Sequence, residues 1–367
     1  MRSKRFVVPL VSLALIAGAC GDGRNDGAVI QGDVPRTDSP TTAATTDNTD
    51  NQASSTTEGS ASETPSTEFA LDPSSNPFDW KDAVPAKDGV QTGTLRVPID
   101  YRDPSKGTFD LLVARHLATK PSKRIGSLLV NPGGPGFGGS EFALQADSVY
   151  SEALLERFDI IGWDPRGTGE STPAIDCIDD YDRYFASTDI TPDNEAERQQ
   201  IIDLAKEFET KCAQKNAKIL QFVGTNSSAR DMDSIRRALG EEKISYFGFS
   251  YGSELGAAWA TLFPSTVRAA VLDGATDPSS DFLTSGLQQS AGFEKSINTF
   301  LQRCSAKRAC LLYNGGKAEK AFDDLMLSID KTPIVGRSGR PKVTRGVALT
   351  AVAEAMYSET SWPDLEA

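Results

Sequence analysis

The sequence predicts an α/β fold, a mostly parallel sheet with helices on both faces, and three observations carry that prediction. Short apolar runs bounded by Gly and Pro alternate with helical patterns over residues 94–272. Two of those runs end in glycine-rich turns, Asn131-Pro132-Gly133-Gly134-Pro135-Gly136 and Gly248-Phe249-Ser250-Tyr251-Gly252. The second turn passes directly into a helical stretch of small residues, so the local order is strand, tight turn, helix.

Taken in order, the first 20 residues carry an export signal. Arg2, Lys4 and Arg5 precede an apolar run at 6–16, too short for an ordinary membrane span. It ends in Ala17-Gly18-Ala19-Cys20, which has the form of a bacterial lipobox with Cys20 as the lipidated residue; a plain secretory signal cut near Ala19 is the other reading. Residues 21–75 are rich in Thr, Ser, Asp, Gly and Asn. They hold too few apolar side chains to offset ordering entropy, so a disordered tether is expected there. Phe78 and Trp80 open the folded part.

Residues 94–101 and 109–116 read as two strands around the turn Asp103-Pro104-Ser105-Lys106-Gly107. Buried strands are expected at 127–131, 158–163, 244–249 and 267–272. Between them, 194–213 places Ile201, Leu204, Ala205, Phe208 and Cys212 on one helical face. Residues 228–239 do the same with Ala229, Met232, Ile235 and Leu239, with Asp231 in the first turn and Gly240 as the stop. The helix at 253–263 is closed by Pro264. A helical region begins at 282, so the expected organisation is a core over 76–280 and the start of a helical cap over 281–367.

Composition narrows the chemistry. The 367 residues carry 38 basic and 51 acidic side chains, a formal charge of −13, which argues against a nucleic-acid surface. Cys177, Cys212, Cys304 and Cys310 form an even set in an exported chain. Pairing by proximity gives 177–212 and 304–310, one of three possible pairings. No Cys-x-x-Cys or histidine cluster is present, so neither a metal site nor a cofactor is expected.

Gly-x-Ser-x-Gly between a strand and a helix is the nucleophile elbow of α/β-hydrolases, in which Ser250 would attack a carbonyl carbon. The loop after 127–131 can aim a backbone N–H at the developing oxyanion. Gly134 is preferred to Gly133 for that role, with Tyr251, next after the nucleophile, giving the second donor. A serine nucleophile needs a general base, and in this fold the order is Ser, then Asp or Glu, then His. The single histidine, His116, precedes Ser250 and reads as structural. The catalytic Asp and His are therefore not found in this chain. It is read as the N-terminal portion of a longer enzyme, inactive alone and lacking the last strands. In Asp164-Pro165-Arg166-Gly167 an Asp–Arg pair holding the loop is preferred to substrate contact. Asp273 has two readings, a turn residue or a displaced triad acid.

Together with Leu272-Asp273-Gly274, Val113-Ala114-Arg115 and the run Arg236-Arg237-Ala238-Leu239-Gly240, these motifs resemble the secreted actinobacterial tripeptidyl aminopeptidases, relatives of proline iminopeptidases. The resemblance runs from Phe78 to the end of the chain. It implies Ser250 as the acylated nucleophile, Tyr251 and Gly134 as the oxyanion hole, and metal-free hydrolysis near a peptide N-terminus. It also implies a peptide substrate; the charge balance leads us to expect no nucleic acid, and the lipobox-like run no membrane contact except a lipid on Cys20. The chain would then be a cell-surface lipoprotein on the outer face of the cytoplasmic membrane, or secreted. An esterase or lipase on the same scaffold, and a non-catalytic surface lipoprotein, are the alternatives.

Overall fold

Alternation of apolar residues gives each central strand two buried faces. In the strand Gly126–Asn131, Leu129 enters one core while Leu128 and Val130 enter another. In Phe158–Trp163, Ile161 and Trp163 face the first core and Ile160 the second. The computed structural model describes residues 77–366 apart from Thr276 and Pro278. The expected signal peptide 1–20, the lipidation site Cys20 and the tether 21–75 lie outside the described residues.

Seven strands form one sheet: β1 (Lys81–Asp82), β2 (Val90–Pro98), β3 (Thr108–His116), β4 (Gly126–Asn131), β5 (Phe158–Trp163), β6 (Ile244–Phe249) and β7 (Val267–Asp273). Their spatial order is β1-β2-β3-β5-β4-β6-β7. β5, β4, β6 and β7 run parallel, whereas β1, β2 and β3 form an antiparallel flank joined to β5. The expected strands are all present, but the one at 267–272, expected to be buried, is mostly exposed because it is the outer strand of the described sheet. The first is shifted to Val90–Pro98, and the two-residue β1 is added.

The principal helices are α1 (Ser140–Leu144), α2 (Glu195–Lys215), α3 (Thr225–Ala238), α4 (Tyr251–Leu262), α5 (Phe282–Ala306), α6 (Ala318–Lys331) and α7 (Arg345–Ala355). Met232 and Ile235 of α3 and Leu255 and Trp259 of α4 cover one face of the sheet. Phe142 and Ala143 of α1, with Ala146, Tyr150 and Leu155 just after it, cover the other.

Two expectations about helices need correction. Ala205 of α2 is exposed and Cys212 is its one buried residue, because α2 lies in an excursion that packs on a small cluster of its own. Asp231, expected in the first turn, lies in the second turn of α3, because the helix begins earlier at Thr225, and it is fully buried.

The structure joins Cys177 to Cys212 and Cys304 to Cys310. The second bridge belongs to a separate core of Phe300, Leu301, Ala318, Ala355, Met356 and Trp362 from the helices after β7. β7 is the outer strand of the described sheet, and its Val271 and Leu272 are exposed.

The chain leaves β4 toward β5 on one side and later leaves β6 toward β7 on the other. The carboxyl ends of β4 and β6 are therefore a topological switch point, the place where open α/β sheets leave a crevice.

Candidate active site

Ser250 occupies the turn at that switch point. It has φ 52° and ψ −124°, a conformation strained for any residue with a Cβ. The turn is held from three sides. The Ser250 N–H donates to the Asp273 carbonyl of β7 at 2.8 Å. The Tyr246 hydroxyl donates to the Gly252 carbonyl at 2.7 Å from below. A Cβ on Gly248 would lie 2.2 Å from that same carbonyl oxygen, so the turn closes only with glycine there.

The backbone bends sharply so that α4 can start at Tyr251, and Ser250 stays exposed at the helix N-terminus. That terminus carries partial positive charge and unpaired N–H groups, a favourable setting for negative charge.

The loop after β4 lies directly against the serine. A Cβ on Gly133, which has φ +97°, would meet the Phe249 carbonyl oxygen at 2.5 Å, the Ser250 Cβ at 3.0 Å and the Tyr251 nitrogen at 3.1 Å. The Gly133 N–H is committed, donating to Asn131 Oδ1 at 2.9 Å. The N–H groups of Gly134 and Tyr251 bond to no other described group. Of the two candidate glycines, Gly134 is thus the one with a free donor. Phe137, half exposed on the same loop, packs its ring edge against Gly134.

The far end of the loop is fixed by Asp164, whose carboxylate accepts from the Ser140 N–H at 3.1 Å and the Glu170 N–H at 2.9 Å. Asp164 does not pair with Arg166, contrary to the sequence-based expectation. Arg166 turns under the sheet, where Nε and Nη2 donate to the two oxygens of Asp231 at 2.7 and 2.5 Å. Both residues hold structure, with different partners. Burial opposes the charge on Arg166, but the Asp231 carboxylate more than offsets it and holds its pKa above the ordinary value.

On the side of α3, the Tyr251 and Thr225 hydroxyls lie 2.7 Å apart, and burial raises the Tyr251 phenol above its usual value. His116 is buried on β3 opposite Ile160 of β5. The site end of that pair is Val113–Trp163, so the histidine lies toward the other end. No described side chain hydrogen-bonds Ser250 Oγ. Asp273 takes part through its carbonyl oxygen.

Sequence reasoning missed the side chains of Asn131, Phe137 and Thr225. Asn131 and Phe137 stand inside or beside the glycine-rich motif, so their position was the available signal. Thr225 carried none, being remote in sequence.

A family model described as alpha/beta hydrolase fold matches residues 126–325. Serine protease Hip1 of Mycobacterium tuberculosis is 37% identical over 286 residues, covering 76% of this chain and 55% of that protein. Tripeptidyl aminopeptidase of Streptomyces coelicolor is 33% identical over 300 residues, covering 78% and 54%. Carboxylesterase B of Mycobacterium tuberculosis is 34% identical over 283 residues, covering 74% and 53%. The chain thus spans about half the length of the curated relatives it matches.

Proposed function

Because the chain belongs to the α/β-hydrolase fold family, we propose that it serves an exported serine hydrolase that removes residues or short peptides from peptide N-termini. The observation that carries the reading is Ser250 in a strained turn, with two uncommitted N–H donors beside it. Ser250 Oγ attacks the carbonyl carbon, and the negative charge that develops on oxygen settles between the Tyr251 and Gly134 N–H groups. The C–N bond then breaks, the amine leaves with a proton, and water releases the acyl group from Ser250. The described residues assign no general base to the proton transfers.

A peptide substrate is supported by two relatives bearing protease and aminopeptidase names. The carboxylesterase relative supports ester hydrolysis as the second reading. Export is supported by the basic-then-apolar start of the sequence and by two disulfides. Anchoring through a lipid on Cys20 is part of the same proposal and predicts that Cys20→Ala releases the protein from membranes.

The full-length gene product should be offered a tripeptidyl p-nitroanilide with a free amine, the same peptide N-acylated, and p-nitrophenyl butyrate. Faster cleavage of the free peptide is the expected result. Turnover of the ester alone would establish the esterase reading, and no turnover by a folded, intact product would end both.

A further inference from the structure

We infer that Asn131 is the positioning residue of the oxyanion site, because its buried carboxamide, wedged between Gly133 and Gly252, sets where the two N–H donors point. The inference rests on the reading of Ser250, Tyr251 and Gly134 given above. Asn131 ends β4 opposite Gly248 of β6, and only 1% of it is exposed. On one side its Oδ1 accepts the Gly133 N–H at 2.9 Å. On the other, a Cβ on Gly252 would lie 2.9 Å from that Oδ1 and 2.7 Å from the Asn131 carbonyl oxygen. One side chain therefore touches the neighbour of each donor: Gly133 precedes Gly134, and Gly252 follows Tyr251.

This contact has two effects. It commits the Gly133 N–H, so the next amide along, Gly134, supplies the free donor. It also fixes the gap between the loop and the start of α4, and thereby the spacing of the two donors. Oxyanion donors work at about 2.7–3.1 Å from the charged oxygen, and a misplacement of about 1 Å costs on the order of 10²-fold in rate. A shorter side chain at 131 would leave the Gly133 N–H unpaired and the loop free to slide. An aspartate would keep the acceptor in the same place. Once ionised, it would also set a negative charge beside the forming oxyanion, opposing catalysis.

The test compares Asn131→Ala and Asn131→Asp in the full-length gene product, with kcat and KM followed across pH on p-nitrophenyl butyrate. Asn131→Ala should lower kcat on the order of 10²-fold with KM within about threefold of wild type. Asn131→Asp should stay within about tenfold of wild type at low pH and fall relative to it as the new carboxyl ionises. A merely structural residue would not give that pH dependence. The inference is overturned by an Asn131→Ala kcat close to wild type, by a loss confined to KM, or by an Asn131→Asp deficit that ignores pH. Should Asn131→Ala not fold, the pH profile of the near-isosteric Asn131→Asp decides alone. Full activity in Ser250→Ala would overturn the site reading itself, and this inference with it.

Discussion

Replacing Asp231 by alanine should destabilise the protein severely, because it strands a buried guanidinium. Arg166 is 2% exposed and uses all five of its N–H donors. Two go to Asp231, and the others go to the carbonyls of Ile99, Phe222 and Pro98 at 2.9, 3.1 and 3.2 Å. Asp231→Ala removes two acceptors and the only countercharge in direct contact among the described residues, which costs about 3–5 kcal/mol. The roughly 290 described residues correspond to an unfolding entropy of about 0.6 kcal/mol/K. The melting midpoint should therefore fall by about 5–8 °C. Removing both charges with matched apolar volume, as in Arg166→Met with Asp231→Leu, should recover most of that loss, since a buried pair is worth little over a well-packed apolar one. Tyr101 and Phe109 rings lie 5.4 and 5.1 Å from the guanidinium carbon and would pack against the methionine. Thermal melts at pH 7 followed by circular dichroism provide the assay. A midpoint for Asp231→Ala within about 2 °C of wild type would refute the reasoning. So would a double variant melting no higher than Asp231→Ala.

Three further outcomes are expected. Ser250→Gly should abolish turnover yet raise stability by roughly 1 kcal/mol, the relief of backbone strain of about 1–3 kcal/mol less the entropy cost of glycine; a lower melting point would contradict it. Gly133→Ala should lower kcat on the order of 10²-fold while the protein still folds, because the new Cβ pushes into Ser250 Cβ and the Phe249 carbonyl; steady-state kinetics on the ester would read it, and unchanged kcat would count against the loop's role. The excursion carrying α2 should loosen in acid. Hydrogen bonds from Arg183, Lys211 and Tyr184 hold the Glu207 carboxyl well below the usual range. A carboxyl depressed on folding contributes stability that is present in full above its unfolded pKa of about 4.3 and is lost as pH falls below it toward the folded value. Hydrogen exchange across 181–215 should thus show less protection at pH 3 than at pH 6, after correction for intrinsic rates, and equal protection would rule this out.

Local chemistry made much of this fold legible. The apolar runs at 127–131, 158–163 and 244–249 are strands because each must bury both faces, and both cores are present. The Ser250 elbow was readable because its glycines answer to contacts within a few residues, such as Gly248 against the Gly252 carbonyl. Cys304 and Cys310 paired as their closeness in sequence implied. What depended on distant packing was not readable. Asp164 stands two residues from Arg166, yet the guanidinium reaches Asp231, 65 positions on, because α3 packs across that face of the sheet. The inward face of α2 was overestimated because helical spacing does not reveal how large a surface waits for it, and here it meets a small cluster. The Asn131 carboxamide was hidden for a related reason: a motif shows which backbone turns, but not which side chain fills the gap between two turns.

The central claim is that Ser250 is the nucleophile, and covalent labelling tests it most directly. The full-length gene product would be treated with a fluorophosphonate, digested, and the modified residue located by tandem mass spectrometry. One adduct, on Ser250, absent from Ser250→Ala and slowed on the order of 10²-fold in Gly133→Ala, is the expected result. A folded protein that takes no label, or takes it on another serine, would contradict the claim.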